Sequence, residues 1–536
     1  MTKRFQLPPI PESEQTPLVL GLLGIIEALT QELQRQEEHI GQLEDEIAVL
    51  KGEKKRPRFK PSNLDEKSGA EDRKGDGSKA AKRPGSEKRV KTAELNIHEE
   101  RTIAPELIPA GSRFKGYQDY VVQDLMIRSH NTRYRLERWQ TPEGQYVIGQ
   151  LPKSVRGQHF GSTLRSFILY QYYQAHVTRG LLLAQVREWG IDISAGQIER
   201  ILTEDKDQWH AEKDALLATG LEVSSQVTVD DTGARHQGAN GYTTRIGNDY
   251  FAWFQTTERK DRINFLQLLH GGSPAYVINE AALGYFREQK LPQQPLTALE
   301  SAPCQVFTDT PQWEEHLQAL SIDNPRHVRV ATEGALVGGL YDKGLSEGLA
   351  IISDEAGQFD VLTHGLCWVH AERLVHKLIP LNEQHRVDQQ GIRSQIWDFY
   401  AELKRYQQAP CEAAKAKLEA RFDEIFTTRT QYETLNQLLK RLHRHKAKLL
   451  LVLERPDVPL HTNDAERDLR DRVKKRHISA GTRSDLGRRS WDTFASLKKT
   501  CRKLGVSFWA FIIDRVSGAN TLPPLPALIQ ARAASP

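Results

Sequence analysis

Apolar residues near the start of the chain recur in steps of three and four, which is the spacing of a coiled-coil seam. The seam lies within residues 18–50, and all but one of its positions are aliphatic: Ile26, Leu29, Leu33, Gln36, Ile40, Leu43, Ile47 and Leu50. A single polar position such as Gln36 can set the register or the oligomeric state. The pattern predicts an N-terminal coiled-coil helix within 1–52 that pairs subunits; a lone amphipathic helix packed on its own chain is the alternative.

The hydrophobic pattern then changes twice. Residues 95–160 contain short alternating runs broken by turn residues, which predict a small β-rich unit. Residues 163–204 have helical spacing, with one helix closed by Gly190 and the next capped by Ser194. A helix, a short glycine turn and a capped helix form the outline of a helix-turn-helix, although most such pairs bind no nucleic acid. We predict a DNA-binding region over 95–215.

Buried strands are predicted in the larger part that follows, residues 216–520. The runs SSQVTVD and GLAIISD are apolar strands that each end in an acid, and Asn248-Asp249 marks a hairpin turn. Residues of about 371–455 are strongly helical and form a predicted insertion. The tail at 521–536 is rich in Pro and Ala and is predicted to be disordered. The fold class predicted here is an α/β core with a helical insertion.

Composition places the chain among proteins of several structural units. It has 536 residues, of which 38% are hydrophobic, and a net charge of only +4. Its four cysteines are scattered without a CxxC pair, which argues against a disulfide framework and suits a reducing compartment. Neither a signal peptide nor a membrane-spanning run is evident. We expect a soluble cytoplasmic protein with no membrane association.

Charge is concentrated in two segments. Residues 51–91 hold 15 basic and 7 acidic residues, so 53–94 should be a flexible linker that either binds phosphate non-specifically or serves as a solvated tether. Residues 465–503 hold 13 basic and 5 acidic residues. The candidate DNA-binding residues there are Arg467, Arg470, Lys474, Lys475, Arg476, Arg483, Arg488 and Arg489. Ordinary salt bridging, with Asp468 and Asp471 available, is the alternative.

Three acids occupy positions of chemical interest. Asp230 and Asp354 end apolar strands, and Glu466 lies on a predicted helix. A carboxylate at the end of a buried strand is costly without a partner, and a metal ion is a suitable one. Spacing alone leaves rivals open: Asp231, Asp309, Glu355 and Asp360.

The chemistry that suits three such carboxylates is phosphodiester cleavage. That reaction needs an activated water and stabilised charge on the attacking and leaving oxygens, which two Mg²⁺ ions can provide. Magnesium prefers hard oxygen ligands, and Mn²⁺ is an alternative ion with similar preferences. A glutamate that reaches from a helix toward two strand-end aspartates is the ribonuclease-H-like arrangement.

The chain resembles the large transposase of the insertion sequence 66 family. The resemblance rests on VDDTGARHQGANGYTTRIGNDYFAWF, IISDEAGQF, GLCWVHAERLVHKL and the segment that begins NDAERDLR. It implies a ribonuclease-H-like core in which Asp230, Asp354 and Glu466 are the catalytic and metal-binding triad. Family members usually carry a cysteine-rich zinc module after the linker, whereas residues 95–160 contain no cysteine. This departure places the chain in a divergent branch.

The resemblance also implies a function and partners. A DNA transposase would cleave the ends of its element and transfer them into target DNA, with subunits paired by the coiled coil at terminal inverted repeats. Two small accessory proteins of the same element are further candidate partners, and the bacterial nucleoid is the implied location. Cys367, His370 and Asn463 would support the site from beside the catalytic residues; a direct contact of His370 with phosphate or metal is the alternative. A ribonuclease-H-fold nuclease or resolvase, or an inactive DNA-binding relic, remains the alternative.

Overall fold

The computed structural model describes residues 97–152, 156–302 and 305–534, together with helical positions at 19, 22, 25 and 29. The predicted coiled coil at 1–52 otherwise lies outside the described residues, as does the predicted linker at 53–94. The chain divides into two units, one formed by Met1–Glu27 with Arg128–Pro536 and the other by Ala28–Ile127. None of the described helices combines the length and the apolar character needed to cross a bilayer.

Very little of the expected β-rich unit at 95–160 is present among its described residues. Residues 97–127 form neither helix nor strand, and their side chains are exposed. In the other unit, strands β1 (Arg138–Gln140) and β2 (Tyr146–Ile148) form a short antiparallel hairpin whose side chains are also exposed. The prediction of a β-rich unit was therefore wrong for the described part. A sheet with alternating apolar residues is stable only when a second layer of structure covers its apolar face. An isolated two-stranded hairpin has no such layer.

A group of helices precedes the central sheet: α1 (Ser162–Tyr173), α2 (Arg179–Glu188), α3 (Ala195–Thr203) and α4 (Asp207–Val223). Gly190 follows α2 with a φ of +76°, a conformation that favours glycine. The Ser194 side chain accepts a hydrogen bond from the Gln197 amide at 3.2 Å, so its predicted role as the N-cap of α3 is confirmed. That α2 and α3 contact DNA stays a prediction.

The centre of the large unit is a mixed five-stranded sheet. Its strands are β3 (Gln226–His236), β4 (Ala239–Gly247), β5 (Ala252–Thr257), β8 (Ala350–Ser353) and β9 (Thr363–Leu366), in the order β5-β4-β3-β8-β9. The pairs β3–β4 and β4–β5 are antiparallel hairpins, whereas β3–β8 and β8–β9 are parallel. Parallel neighbours need long connections, which the helices supply. This mixed sheet with helices is consistent with a ribonuclease-H-like transposase domain.

Between β5 and β8 the chain is mainly helical. The elements are α5 (Arg262–Leu269), β6 (Tyr276–Val277), α6 (Glu280–Glu288), α7 (Gln293–Glu300), β7 (Val306–Phe307), α8 (Thr310–Ala319) and α9 (Pro325–Asp342). Strands β6 and β7 form a separate antiparallel pair. A short 3₁₀ turn, Gly357–Phe359, lies between β8 and β9. The buried side chains of these helices join the main hydrophobic core with the β3 residues Val227 and Val229.

Helices after β9 build a second core. They are α10 (Trp368–Lys377), α11 (Glu383–Gln408), α12 (Glu412–Thr427), α13 (Glu433–Arg444), α14 (Lys446–Leu449) and α15 (Leu451–Glu454). Their buried side chains pack together with Ala350 and Ile352 of β8. The helical segment predicted at about 371–455 thus corresponds to a block with its own apolar interior on one side of the sheet.

The chain ends in four helices: α16 (Asn463–Ser479), α17 (Asp485–Lys503), α18 (Phe508–Ser517) and α19 (Leu525–Ala533). The last of them contradicts the disordered tail predicted at 521–536. Leu525 and Ile529 are one helical turn apart, and both are fully buried in the main core. A Pro- and Ala-rich composition therefore did not prevent this segment from docking, because the burial of two large aliphatic side chains stabilises it.

Candidate active site

Strand register brings Asp230 and Asp354 to equivalent positions on neighbouring strands. The last parallel pair joins Thr228 of β3 to Ile352 of β8, and each aspartate stands two residues further along the chain from one member of this pair. Residues two apart face the same side of a strand, so Asp230 faces the same side of β3 as Thr228. Asp354 directly follows β8 as predicted, but Asp230 lies within β3, which continues to His236 through its pairing with β4.

The electrostatics of Asp230 show that other carboxylates are near it. The pKa of Asp230 is raised to about 7, chiefly by burial and also by the charges of Asp354, Asp231 and Glu466, which together outweigh the lowering effect of a hydrogen bond from the Asp231 amide. That amide donates to Asp230 Oδ1 at 2.8 Å. Asp230 therefore experiences both of the other predicted triad members, and no cation in the described chain lies within ion-pair distance of its carboxylate.

The rival acids are each engaged elsewhere. Asp231 accepts from Lys260 Nζ at 2.8 Å and from Gln358 Nε2 at 2.8 Å. Asp309 accepts a hydrogen bond from the Gln312 amide. Glu355 is paired with Arg441 and His445. Asp360 is paired with His364 and Lys448. Structural partners account for all four acids, which separates them from the uncompensated Asp230.

Glu466 is in the first turn of α16, and two side chains of α10 bind its carboxylate. Arg373 Nη2 donates to Glu466 Oε1 at 3.2 Å, and His370 Nε2 lies 3.2 Å from the same oxygen. Burial lowers the pKa of His370, although the charges of Glu466 and Asp354 act in the opposite direction. His370 therefore contacts Glu466 and is near enough to Asp354 for the charge of that carboxylate to act on it.

The other two residues predicted to support the site differ in role. Cys367 is buried at the N-terminus of α10, where burial raises the pKa of its thiol, and its amide donates to Ser353 O at 2.8 Å. This bond ties α10 to the strand end that carries Asp354. Asn463 starts α16 one turn before Glu466, and its buried Oδ1 has no hydrogen-bond partner, like His370 Nδ1. The residues that carry both atoms are close to Glu466, since His370 contacts it through Nε2 and Asn463 precedes it by three positions in α16.

An arginine of the sheet fixes the helix that carries Glu466. Arg245 of β4 is fully buried, and its guanidinium binds Asp464 and Asp468 of α16, each at 2.9 Å. It also donates to Thr228 O at 2.9 Å. The two aspartates stand on either side of Glu466 in sequence, so this buried ion pair sets where α16 crosses the sheet.

The donor chemistry suits Mg²⁺, but the carboxylates are not already closed into a metal cage. Within the described ranges, no three His, Cys, Asp or Glu side chains converge closely enough to hold an ion as they stand. Glu466 is bound by Arg373 and His370 instead. The residues nevertheless fit a divalent cation, since Asp230 has a repelled, uncompensated carboxylate and Asn463 offers a buried oxygen without a partner.

The predicted DNA-binding cations fall into three groups. Arg467, Arg470 and Lys474 are exposed on one face of α16, because positions three and four apart share a face, and Arg483 and Arg489 are also exposed. No carboxylate of the described chain lies within ion-pair distance of those first three side chains. The alternative of salt bridging within α16 does not hold for them, since Asp468 binds Arg245 and Asp471 binds Lys499 at 2.8 Å.

The remaining three cations are less available. Arg476 and Arg488 are half-buried, with Arg476 against Gly233 of β3 and Arg488 paired with Asp485 at 3.0 Å. Lys475 is only 5% exposed, and its Nζ donates to Tyr172 O at 3.1 Å above the Tyr172 ring. Burial lowers the pKa of Lys475 to about 7. Lys475 therefore belongs to the interior rather than to a DNA-facing surface.

Three cations next to the predicted triad were missed in the sequence. Arg373 binds Glu466, Lys260 neutralises Asp231, and Arg245 holds α16. A signal was available for Arg245 alone, since a charged residue inside the otherwise alternating strand YTTRIG needs a buried partner. Arg373 and Lys260 have no such local signal, because their partners come from distant parts of the chain.

A mixed sheet of this order with helices packed on it is consistent with a ribonuclease-H-like transposase domain. The family model described as "Transposase IS66 family" matches residues 353–490, a segment that includes Asp354 and Glu466. An uncharacterized protein of Sinorhizobium fredii, y4jO, is 43% identical over 321 residues, which cover 59% of this chain and 100% of that protein. The chain belongs to the IS66 transposase family.

Proposed function

We propose that this chain is a DNA transposase that cleaves the ends of its element and transfers them into target DNA, with Asp230, Asp354 and Glu466 as the catalytic carboxylates. The observation that carries the proposal is the shared electrostatics of the three acids. Burial and the charges of Asp354 and Glu466 raise the pKa of Asp230 to about 7. A buried carboxylate that feels the charge of two others and has no cation of its own to neutralise it is suited to bind a cation from outside the chain.

Asp230, Asp354 and Glu466 would hold Mg²⁺, or Mn²⁺ in its place, with Asn463 Oδ1 as a neighbouring oxygen. Bound divalent ions supply Lewis-acid activation of water and neutralise charge on the phosphoryl oxygens. The chain's own contribution is positional. β3 and β8 fix the spacing of the two aspartates, while Arg245 fixes the helix that carries the glutamate.

Glu466 would have to exchange partners when it joins the aspartates. In the present arrangement Arg373 and His370 bind its carboxylate, each at 3.2 Å. Once released, both groups remain beside the carboxylates, where an arginine and an imidazole are suitable donors to phosphate oxygens. Glu466 is thus stabilised by nearby cations whenever it is not bound to metal.

The exposed face of α16 gives the polyanionic substrate a place to bind. Arg467, Arg470 and Lys474 carry no compensating carboxylate in the described chain, and they lie on the same helix as Glu466. Cations next to acids of this kind attract a phosphate backbone that the acids alone would repel. We propose that this face contacts backbone phosphates, and that the coiled-coil segment at 1–52 pairs two subunits so that two DNA ends meet.

The test is cleavage and joining of DNA that carries the native element ends, with Mg²⁺ and the full-length protein. We expect Asp230→Asn, Asp354→Asn and Glu466→Gln each to lose nicking and strand transfer while still binding the DNA. Asp309→Asn is the matched control, because that acid caps α8 and should leave activity intact.

Two outcomes would count against the proposal. Nicking that survives in all three carboxylate variants would mean that the catalytic site lies elsewhere. Cleavage without joining, under conditions in which wild-type protein holds both ends, would identify a nuclease instead of a transposase.

A further inference from the structure

A polar cavity, separate from the carboxylate site, is formed mainly by the helices that precede the sheet. It has a volume of about 470 Å³, and its walls come from α1, α3, the start of α4 and the end of α18. Its charged lining residues are Arg165, Arg200, Glu204, Asp205, Lys206 and Arg515. None of these residues belongs to the carboxylate site, and a cavity of this size is in the range of small-ligand sites.

Two cations in this wall lack the partners that buried charges normally have. Lys206 is only 8% exposed, and its Nζ donates to Glu204 O at 2.5 Å. No carboxylate of the described chain lies within ion-pair distance of that ammonium. Arg165 has a buried Nε without a hydrogen-bond partner, and its Nη2 reaches only Val516 O at 3.4 Å. A buried ammonium such as that of Lys206 is costly unless something pairs with it, and the buried Nε of the half-buried Arg165 likewise lacks an acceptor.

A third cation in the same wall, Arg515, is paired with carboxylates and serves for comparison. Arg515 is enclosed by two carboxylates, with Glu212 Oε2 at 3.2 Å from its Nε and Asp514 Oδ2 at 2.5 Å from its Nη1. Lys206 and Arg165 have no equivalent. The pKa of Lys206 is lowered to about 8, chiefly by burial and also by the charge of Arg165, while the charges of Asp205 and Glu204 oppose the shift.

The acids at this cavity form no ion pair with Lys206 or Arg165 within the described chain. Glu204 and Asp205 are both exposed, and neither makes an ion pair within the described chain. The amide side chains of Gln158 and Gln197 and the exposed Arg200 complete the polar lining. This combination of one buried cation (Lys206), one half-buried cation (Arg165), one exposed cation (Arg200) and neutral amides is a donor set for an oxyanion.

We propose that this cavity binds a phosphate group, with Arg165 and Lys206 as its inner contacts and Arg200 as its outer one. The volume exceeds what a free phosphate needs and accommodates a nucleotide-sized group, so the phosphate comes either from a DNA strand or from a free nucleotide. This site goes beyond the proposed function, because it does not depend on the carboxylates or on a metal.

The test uses full-length protein with a chelator, so that the carboxylate site does not contribute. Inorganic phosphate, a deoxynucleoside monophosphate and a short single-stranded oligonucleotide are titrated separately, with thermal unfolding and calorimetry as readouts. We expect saturable binding of at least one probe by the wild type. Lys206→Gln should weaken it about tenfold, Lys206→Arg should retain it, and the pair Arg165→Gln with Lys206→Gln should abolish it.

Two further variants separate the failure of this proposal from the failure of the proposed function: Lys343→Gln is a matched control, and Asp230→Asn removes a proposed catalytic carboxylate. Lys343 also donates to a backbone carbonyl, Ser273 O at 2.6 Å, but it is exposed outside the cavity, so Lys343→Gln should bind as the wild type does. Asp230→Asn should bind the probe normally even if it loses DNA cleavage.

Stabilisation by the monophosphate indicates a free nucleotide as the ligand, and a response to the oligonucleotide alone indicates a DNA strand. The idea fails if the wild type binds none of the three probes, or if Lys206→Gln and Lys343→Gln bind equally well.

Discussion

Replacement of Asp230 by asparagine should stabilise the metal-free protein while it abolishes catalysis. Burial and the neighbouring carboxylates raise the pKa of Asp230 from its ordinary value of 3.8 to about 7. Since the folded-state pKa lies above the unfolded one, the ionised carboxylate destabilises the fold. The cost begins near pH 4, grows as pH rises, and is complete above about pH 7. Asparagine keeps an oxygen for the Asp231 amide and removes the charge.

The magnitude follows from the two pKa values. At about 1.4 kcal/mol for each tenfold change in proton affinity, the difference corresponds to about 4 kcal/mol above pH 7. Part of this gain in free energy of unfolding is lost in the variant, because an amide oxygen accepts the hydrogen bond from the Asp231 amide less strongly than a carboxylate does. We therefore expect Asp230→Asn to gain about 2–4 kcal/mol in the free energy of unfolding at pH 8, and less than about 2 kcal/mol at pH 5.

The assay is urea denaturation with a chelator at both pH values, on wild type, Asp230→Asn and Asp231→Asn. Asp231 is the matched control, because it is the next residue and of the same type but has Lys260 as a partner at 2.8 Å. Asp231→Asn should lose stability at both pH values. Added Mg²⁺ should stabilise the wild type more than Asp230→Asn, since a bound ion removes the repulsion. An Asp230→Asn variant that is no more stable than wild type at pH 8, or whose gain is the same at both pH values, refutes the reasoning.

The other predictions concern the cations. Arg245→Met should lower the free energy of unfolding by about 3–5 kcal/mol, because it leaves two carboxylates of α16 without their buried partner; a loss below about 1 kcal/mol in urea denaturation would contradict this. Lys475→Met should leave DNA affinity unchanged in a binding titration, since Lys475 is buried against aromatic rings. Arg470→Gln combined with Lys474→Gln should weaken DNA binding and reduce the slope of log affinity against log salt by about two, and an unchanged slope would exclude these side chains from the phosphate contacts.

The parts of the fold that the sequence predicts are those with a local signal. The apolar runs before Asp230 and Asp354 correctly predicted strands, and Ser194 correctly predicted a helix cap. The length of β3 was not predictable in this way, because its second half is a strand only through pairing with β4. That pairing depends on a hairpin partner, and a polar sequence such as DDTGARH carries no sign of it.

Burial was the property that the sequence predicted least well. Lys475 lies in a run of three cations, and it is covered by Tyr172 of α1, which is far away in sequence, and by Trp491 of the next helix, α17. The reverse error occurred at 97–137, where apolar side chains such as Ile103 and Tyr120 remain about nine-tenths exposed. Alternation gives the face on which an apolar side chain stands, but only tertiary structure decides whether anything covers that face.

The helical block between β9 and α16 leaves and rejoins the sheet at nearly the same place. The Trp368 amide, at the start of the block, donates to Leu460 O, just beyond its end, at 3.0 Å. The block also has an apolar interior of its own. Its internal length can therefore change during evolution, by loss or gain of whole helices, while Glu466 stays in place opposite the sheet. A shortened chain in which a brief loop joins these two neighbouring points would be a minimal form of the same core.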